Sequence, residues 1–337
     1  MQKLLSIAIP SYNSEAYLDH AVESLLPGGE EVEILIVDDG SKDATAEIAD
    51  RYEAQYPGIV RAIHKENGGH GDAVMTGIRN ATGLYFKVVD SDDWVDAEAY
   101  PKVLDVLRES RAEPIDLLVS DFIYDKVEQE HKHVMRYANA LPQGRVFGWE
   151  EVGRLRSDQY ILMHSVIYRT QMLRDIGLDL PKHTFYVDNL YVYVPMNAVH
   201  RMRYLDEVFY HYFIGRDDQS VQEQVMIRRI DQQLRVNRLM IEQVDLTRVT
   251  PRQKQRYMRS YLEIITMVSS VLLLRSGTPE NLAKKRALWQ DMRRDHPEVY
   301  RMLRWRLIGI CLHLPGEWGR KLVCQGYNLA RRYVGFN

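Results

Sequence analysis

Cysteine is scarce in this chain: only Cys311 and Cys324 occur among 337 residues, with twelve residues between them. Two thiols cannot build a disulfide framework or a cysteine-rich zinc site, and their scarcity suits a reducing compartment. Long apolar runs are missing as well. No stretch approaches the ~20 uninterrupted apolar residues of a bilayer span, so no spanning helix is expected. The largely apolar run Leu4–Ile9 is too short for a signal peptide and reads as a first strand. Two phosphate-binding signatures are also absent. No glycine-rich loop ends in Gly-Lys-Ser/Thr, and no Gly-x-Gly-x-x-Gly follows the first strand, which argues against a P-loop enzyme and a dinucleotide-dependent oxidoreductase.

Charge is present in quantity but unevenly placed. The net charge of -3 conceals 17 Lys and Arg against 6 Asp and Glu from Pro251 to Asn337, and 27 against 41 in the residues before it. An acidic body followed by a basic end is a statement about partners, without naming one.

The first 120 residues or so alternate apolar runs with amphipathic stretches. Leu4–Ile9, Val32–Val37, Ile59–His64, Leu84–Val89 and Ile115–Ser120 read as strands. They are mostly apolar without alternation, as strands covered on both faces are. Glu15–Leu26, Ala44–Tyr56, Ala73–Ala81 and Ala97–Ser110 read as the helices between them. That alternation predicts an α/β fold with a doubly wound, mostly parallel sheet, which binds ligands at the carboxyl ends of its strands. A hairpin is expected around Phe122–Tyr137, with further strands near Ser165–Tyr168 and Met202–Tyr212. From Val221 onward the chain reads as a basic helical region in about four segments. Breaks are expected near Thr250-Pro251, Ser276–Pro279, Pro297 and Pro315-Gly316. The expected division is therefore residues 1–220 and 221–337.

Polar clusters fall where strands end. Asp90-Ser91-Asp92-Asp93 follows Leu84–Val89. Three carboxylates within four residues repel one another unless a cation neutralises them, which suits a hard divalent ion that also takes phosphate oxygens. A solvated turn ahead of the next helix would use the same residues. Asp38-Asp39-Gly40-Ser41 follows the second strand, where a carboxylate can accept hydrogen bonds from a base or a ribose, or simply form a glycine turn and helix cap. Asn67-Gly68-Gly69-His70-Gly71 opens a helix, and glycines there let backbone amides approach an anion.

Four stretches in this order, SIAIPSYNSEAYLDHAVESLL, EILIVDDGSKDATAEIADRY, ENGGHGDAVMTGIRNATG and YFKVVDSDDWVD, resemble the family 2 glycosyltransferases of the GT-A fold. The resemblance is close over residues 4–100 and looser over 101–220. It implies that Pro10 and Tyr12 flank a nucleobase and that Asp38 or Asp39 contacts uracil or ribose. It further implies that Asn67, Gly69 and His70 touch the donor, and that Asp90, Asp92 and Asp93 hold Mg²⁺ or Mn²⁺ on its diphosphate. Such enzymes invert the anomeric centre and need a general base on the acceptor hydroxyl. Phe185-Tyr186-Val187-Asp188-Asn189 matches the family's acidic pair with Val187 in place of its first member, so Asp188 inherits the base role. A cap for the following helix is the plain alternative for Asp188, and His164 and His211 are fallback bases. Arg216, in a stretch resembling the donor-closing loop, would neutralise the leaving diphosphate.

The implied activity is metal-dependent transfer from a nucleotide sugar, expected to be a UDP-sugar, to a saccharide or lipid-linked saccharide of a cell-surface polysaccharide. Transfer to a polyprenyl phosphate and a non-catalytic nucleotide-sugar-binding module are the other readings. The expected setting is cytoplasmic, peripheral at the inner face of the cell membrane. For the basic helical region, an anionic membrane surface, a packed subdomain and a homodimer contact all stay open, and nucleic acid is not an expected partner.

Overall fold

The computed structural model describes residues 2–126, 133–156, 159–214 and 222–334. The chain forms two compact units, Met1–Ile214 and Gly215–Asn337.

In the first unit, β1 (Leu5–Ser11), α1 (Leu18–Leu25), β2 (Val32–Asp38), α2 (Thr45–Gln55), β3 (Val60–His64), α3 (His70–Asn80) and β4 (Tyr85–Val88) alternate as the apolar pattern requires. A short β5 (Trp94–Val95), α4 (Ala99–Glu109), β6 (Leu117–Lys126) and β7 (His133–Met135) follow. The unit closes with β8 (Val166–Arg169), α5 (Thr170–Asp175), α6 (Asp188–Met196) and β9 (Met202–Ile214). The sheet order is β3-β2-β1-β4-β8-β6-β9-β5, with β7 on β6. Strands β1, β2, β3 and β4 pair in parallel, and β6 pairs in parallel with β9. Strand β8 lies antiparallel between β4 and β6. Among the described residues, six strands therefore point one way and β5, β7 and β8 oppose them.

Every residue of β1 and β2 is buried, consistent with helices covering both faces of a parallel sheet. Each fully buried Leu, Ile or Val there contributes about 1.5–3 kcal/mol relative to exposure. The expected strand Ile115–Ser120 is longer than its apolar pattern suggested. As β6 it continues to Lys126, and its pairing with β9 is bulged between Ser120 and Phe122. The expected hairpin partner is present, with β7 pairing Phe122–Tyr124.

The second unit is helical throughout its described residues. Its helices are α7 (Glu223–Arg228), α8 (Ile230–Gln243), α9 (Arg252–Ser276), α10 (Pro279–Asp295), α11 (Pro297–Arg304), α12 (Leu307–Leu312) and α13 (Gly316–Val334). The expected breaks at Pro251, Ser276–Pro279, Pro297 and Gly316 are all helix boundaries. Two more, at Arg229 and at Trp305–Arg306, divide the region further. Gly277 ends α9 in the left-handed conformation at φ 66°, and Thr278 then caps α10 ahead of Pro279. Ile230, Leu234, Leu272, Leu273 and Leu288 form the apolar core of α8, α9 and α10. Helix α9 meets a bilayer span in length and mean hydropathy, yet 72% of its apolar window is buried inside the protein. That burial is what a core helix requires.

Candidate functional site

The carboxyl ends of β1, β2 and β4 hold the polar clusters. Chain reversal after β4 places the four-residue acidic turn there, with the Asp93 amide donating to the Asp90 carbonyl at 3.0 Å. The next residues form β5, and its pairing with Tyr210 and His211 of β9 fixes the turn from the other side. Asp93 is buried; one carboxylate oxygen accepts from the Tyr210 hydroxyl at 2.6 Å and the other from the Phe213 amide at 2.8 Å. Burial, then the neighbouring Asp92 and Asp90 charges, push its carboxyl well above the usual range. Asp90 goes the other way. Burial opposes its ionisation, but the bond with His70 Nε2 at 3.0 Å and nearby cationic groups outweigh it.

Among the described residues, Asp90, Asp93 and His164 converge, with one ligand atom from each within 4.8 Å of the others. Asp92 shares the turn, but it is half-exposed and lies outside this trio. The buried imidazole of His164 stacks on Tyr212 at 4.1 Å and meets Tyr210 edge-on at 4.9 Å. Its Nδ1 has no hydrogen-bond partner among the described residues. Burial lowers its pKa to about 3, which leaves a neutral ring with a lone pair. A buried neutral imidazole beside two carboxylates fits a divalent cation.

Sequence reading offered His164 only as a fallback base and overlooked Lys87. Lys87 is fully buried, donates to the His164 carbonyl at 2.8 Å and lies 4.7 Å from the Tyr210 ring centre. Burial lowers its pKa to about 7, against the pull of Asp90 and Asp93. A lysine inside the otherwise apolar LYFKVV was the signal available.

Asp38 and Asp39 end β2 with different roles. Asp38 accepts from the Ser41 amide at 2.9 Å and pairs with His64 Nδ1 at 3.1 Å. Burial works against ionisation of Asp38, and these partners still hold its carboxyl below the usual range. Asp39 is 2% exposed, and its carboxylate is engaged by Lys65 Nζ and by the amides of Gly68 at 2.9 Å and Gly69 at 2.7 Å. It therefore ties the glycine loop to the sheet. Pro10 is buried within β1, and Tyr12 just beyond it is 50% exposed.

Gly69 precedes α3 at φ 83°, where a Cβ would lie 3.1 Å from the His183 amide nitrogen. Its lack of a side chain lets the loop meet the segment leading to α6, and the His183 amide donates to the Gly68 carbonyl at 2.7 Å. The result is that His70, which begins α3, lies within electrostatic reach of Asp90 and of Asp188, which begins α6. Burial and the Asp90 charge raise the Asp188 pKa, and His70 opposes them. Tyr186, two residues before Asp188, has φ 67°. His211 lies apart from the trio, paired with Asp125 at 3.0 Å and stacked on Trp94. Arg216 lies outside the described residues.

A mostly parallel sheet with an acidic turn at its strand ends and a helical region after it is the architecture of the GT-A glycosyltransferases. Residues 6–170, the larger part of the N-terminal unit, match the family described as "Glycosyl transferase family 2". Among curated relatives, the uncharacterized glycosyltransferase EpsJ of Bacillus subtilis is 38% identical over 104 residues, 31% of this chain and 30% of that protein. Matches to the first three such relatives span 30%, 32% and 46% of their lengths. Among solved structures, S. aureus TarS 1–349 in complex with UDP-GlcNAc has a TM-score of 0.55 at 18% identity, covering 86% of this chain and 92% of that one. The mannosyltransferase PcManGT from Pyrobaculum calidifontis, in complex with GDP-Man and Mn²⁺, has a TM-score of 0.54 at 14% identity, covering 96% and 88%. At these identities the likeness shows the fold alone.

Proposed function

We propose that the chain is an inverting glycosyltransferase that moves a sugar from a nucleotide sugar to a hydroxyl of a saccharide or lipid-linked saccharide acceptor. The carrying observation is the convergence of Asp90, Asp93 and His164 at the strand ends, with Asp188 within electrostatic reach of His70 and Asp90. Catalysis is assigned to residues 1–220, and the helical region 221–337 to engaging acceptor, membrane or a second copy. The setting is cytoplasmic, at the inner face of the cell membrane.

Asp90, Asp93 and His164 are the residues that would hold a divalent ion, with Asp92 beside them. Bound there, Mg²⁺ or Mn²⁺ would offset the negative charge of the diphosphate. Tyr12 and Pro10 flank the base, and Asp38 or Asp39 contacts uracil or ribose. Asn67, Gly69 and His70 line the donor side, and Arg216 is assigned to the diphosphate. On the acceptor side, Asp188 takes the hydroxyl proton as that oxygen bonds to the anomeric carbon. The bond from that carbon to the diphosphate oxygen breaks, its electron pair leaves with the nucleotide, and the configuration inverts.

A UDP-sugar is the assigned donor. The sequence resemblance supports it, and the TarS complex carries the same base. Donor binding followed by calorimetry, first with Mn²⁺ and then after EDTA, tests the metal assignment. Affinity should fall at least ~10-fold on chelation, and equal affinity would refute it. Competition by UDP should exceed that by GDP; the reverse order would move the base assignment to guanine.

A further inference from the structure

We propose that the C-terminal unit carries a docking surface for an anionic lipid bilayer, built from the outer stripe of α13 and the exposed side chains at the α11–α12 junction. Helix α13 has two contrasting faces. Arg320, Cys324 and Tyr327 lie on the side near α9, where Arg275 packs over the Tyr327 ring. Trp318, Leu322 and Leu329 are spaced by four and seven residues, which gathers them within one narrow arc on the opposite side. They are 68%, 46% and 57% exposed. At the α11–α12 junction Trp305 is 67% exposed, Leu307 77% and Ile310 45%. Arg304 lies 4.8 Å from the Trp305 ring centre.

Single exposed leucines need no explanation, but two tryptophans and four aliphatic residues on consecutive elements do. Charge decides the occupant. From Pro297 to Val334 there are seven Lys and Arg against only Glu298 and Glu317. Those two acids are already paired, with Arg301 and Arg320, and Glu263 of α9 takes Arg306, which leaves an excess of four cations. The apolar stripe is therefore set in net positive surroundings. Tryptophan with aliphatic neighbours and a cationic border is the composition of a helix lying in the headgroup layer: the apolar face enters the acyl boundary and the cations meet lipid phosphates. A protein partner of neutral apolar surface would leave that charge uncompensated.

This inference does not rest on the catalytic reading, because vesicles contain neither donor nor acceptor. The full chain is mixed with vesicles of phosphatidylcholine alone, or of phosphatidylcholine with phosphatidylglycerol, at low and physiological salt. It should sediment with the anionic vesicles, more strongly at low salt, and its tryptophan emission should be quenched by spin-labelled lipid. Trp318→Ser with Leu322→Ser, both at exposed positions, should lower vesicle affinity at least ~10-fold while leaving the circular dichroism spectrum unchanged. Trp289→Phe, inside the core, should leave it unaltered. Absence of binding to anionic vesicles would overturn the proposal, as would equal binding by the double variant. A dimer in light scattering that the double variant dissociates would also overturn it, by assigning the stripe to a second copy of the chain.

Discussion

The two units bury polar groups in opposite ways. In the N-terminal unit the buried polar residues include many ionisable ones: Glu33, Asp38, Asp39, Lys87, Asp93, Asp116 and Asp121. Several gather at one end of the sheet, and some depress while others raise one another's pKa values. In the C-terminal unit they are mostly neutral and pair locally between helices: Gln233 with Ser269, Asn237 with Thr266, Trp289 with Ser270. A buried carboxylate costs several kcal/mol unless ions or hydrogen bonds compensate it, so concentrating them is useful only where a charged ligand will arrive. Neutral pairs cost little and specify how helices seat. On this contrast, substitutions at the sheet end should change chemistry more than folding, and substitutions in the helical core only folding.

The largest expected effect concerns Asp188. Asp188→Asn keeps shape and removes basicity, so transfer to a hydroxyl acceptor should fall ~10²–10⁴-fold with donor affinity nearly unchanged. Single-turnover rates beside calorimetric donor binding make the measurement. Near-normal transfer would remove Asp188 from the mechanism and favour a phosphate acceptor, which needs no strong base.

Asp116 tests the other side of the contrast, a buried carboxylate with a structural task. One oxygen accepts from the amides of His200 and Arg201 at 2.9 and 3.0 Å, and the other from Arg169 at 2.9 Å. Burial alone would raise its pKa; these donors outweigh it and hold the carboxyl below the usual range. A depressed folded-state pKa contributes stability above the unfolded value, lost as pH falls through the folded value. Asp116→Asn should therefore cost about 2–3 kcal/mol at neutral pH. In urea unfolding, the gap between variant and parent should narrow below about pH 4. A gap independent of pH would mean that the charge plays no part.

Gly69 comes next. A side chain at φ 83° near the His183 backbone should cost about 1–3 kcal/mol and loosen the contact that brings His70 toward Asp188. Gly69→Ala should lower the thermal midpoint and reduce turnover together. A loss of turnover without loss of stability would show that the loop acts on the donor directly.

How far the sequence anticipated this arrangement differs between the two units. Apolar strands and proline-bounded helices have local signatures, so β1 to β4 and the main helix breaks were legible. The acidic turn was legible because carboxylate runs after an apolar strand are costly without purpose. His164 was not: it reaches Asp90 and Asp93 only because β8 inserts antiparallel beside β4, a pairing across more than eighty residues that no local pattern encodes. Lys87 was overlooked in its apolar strand, and its partner, the carbonyl of His164, depends on that same pairing. Asp39 looked like an equal of Asp38, and only the fold turns it toward Gly68 and Gly69. The stripe on α13 follows from spacing, yet which side of the helix stays uncovered depends on how α13 packs against α9.

The smallest expected effect lies in the helical core, where the Asn237 side-chain amide donates to the Thr266 hydroxyl at 3.0 Å. Both residues are buried, and the Asn237 side-chain oxygen has no partner among the described residues. Thr266→Val alone preserves volume but leaves the Asn237 amide without its acceptor, at a cost of about 1–3 kcal/mol. Replacing both, with Asn237→Leu and Thr266→Val, removes donor and acceptor together, so no orphan remains and apolar contacts replace the pair. The double variant should return to within about 1 kcal/mol of the parent, giving a favourable coupling in a double-mutant cycle. Chemical denaturation of the four proteins reads this directly. If the double variant were as unstable as the sum of the singles, the pair would be holding helix register, and the helical unit would depend on its buried polar groups as strongly as the sheet does.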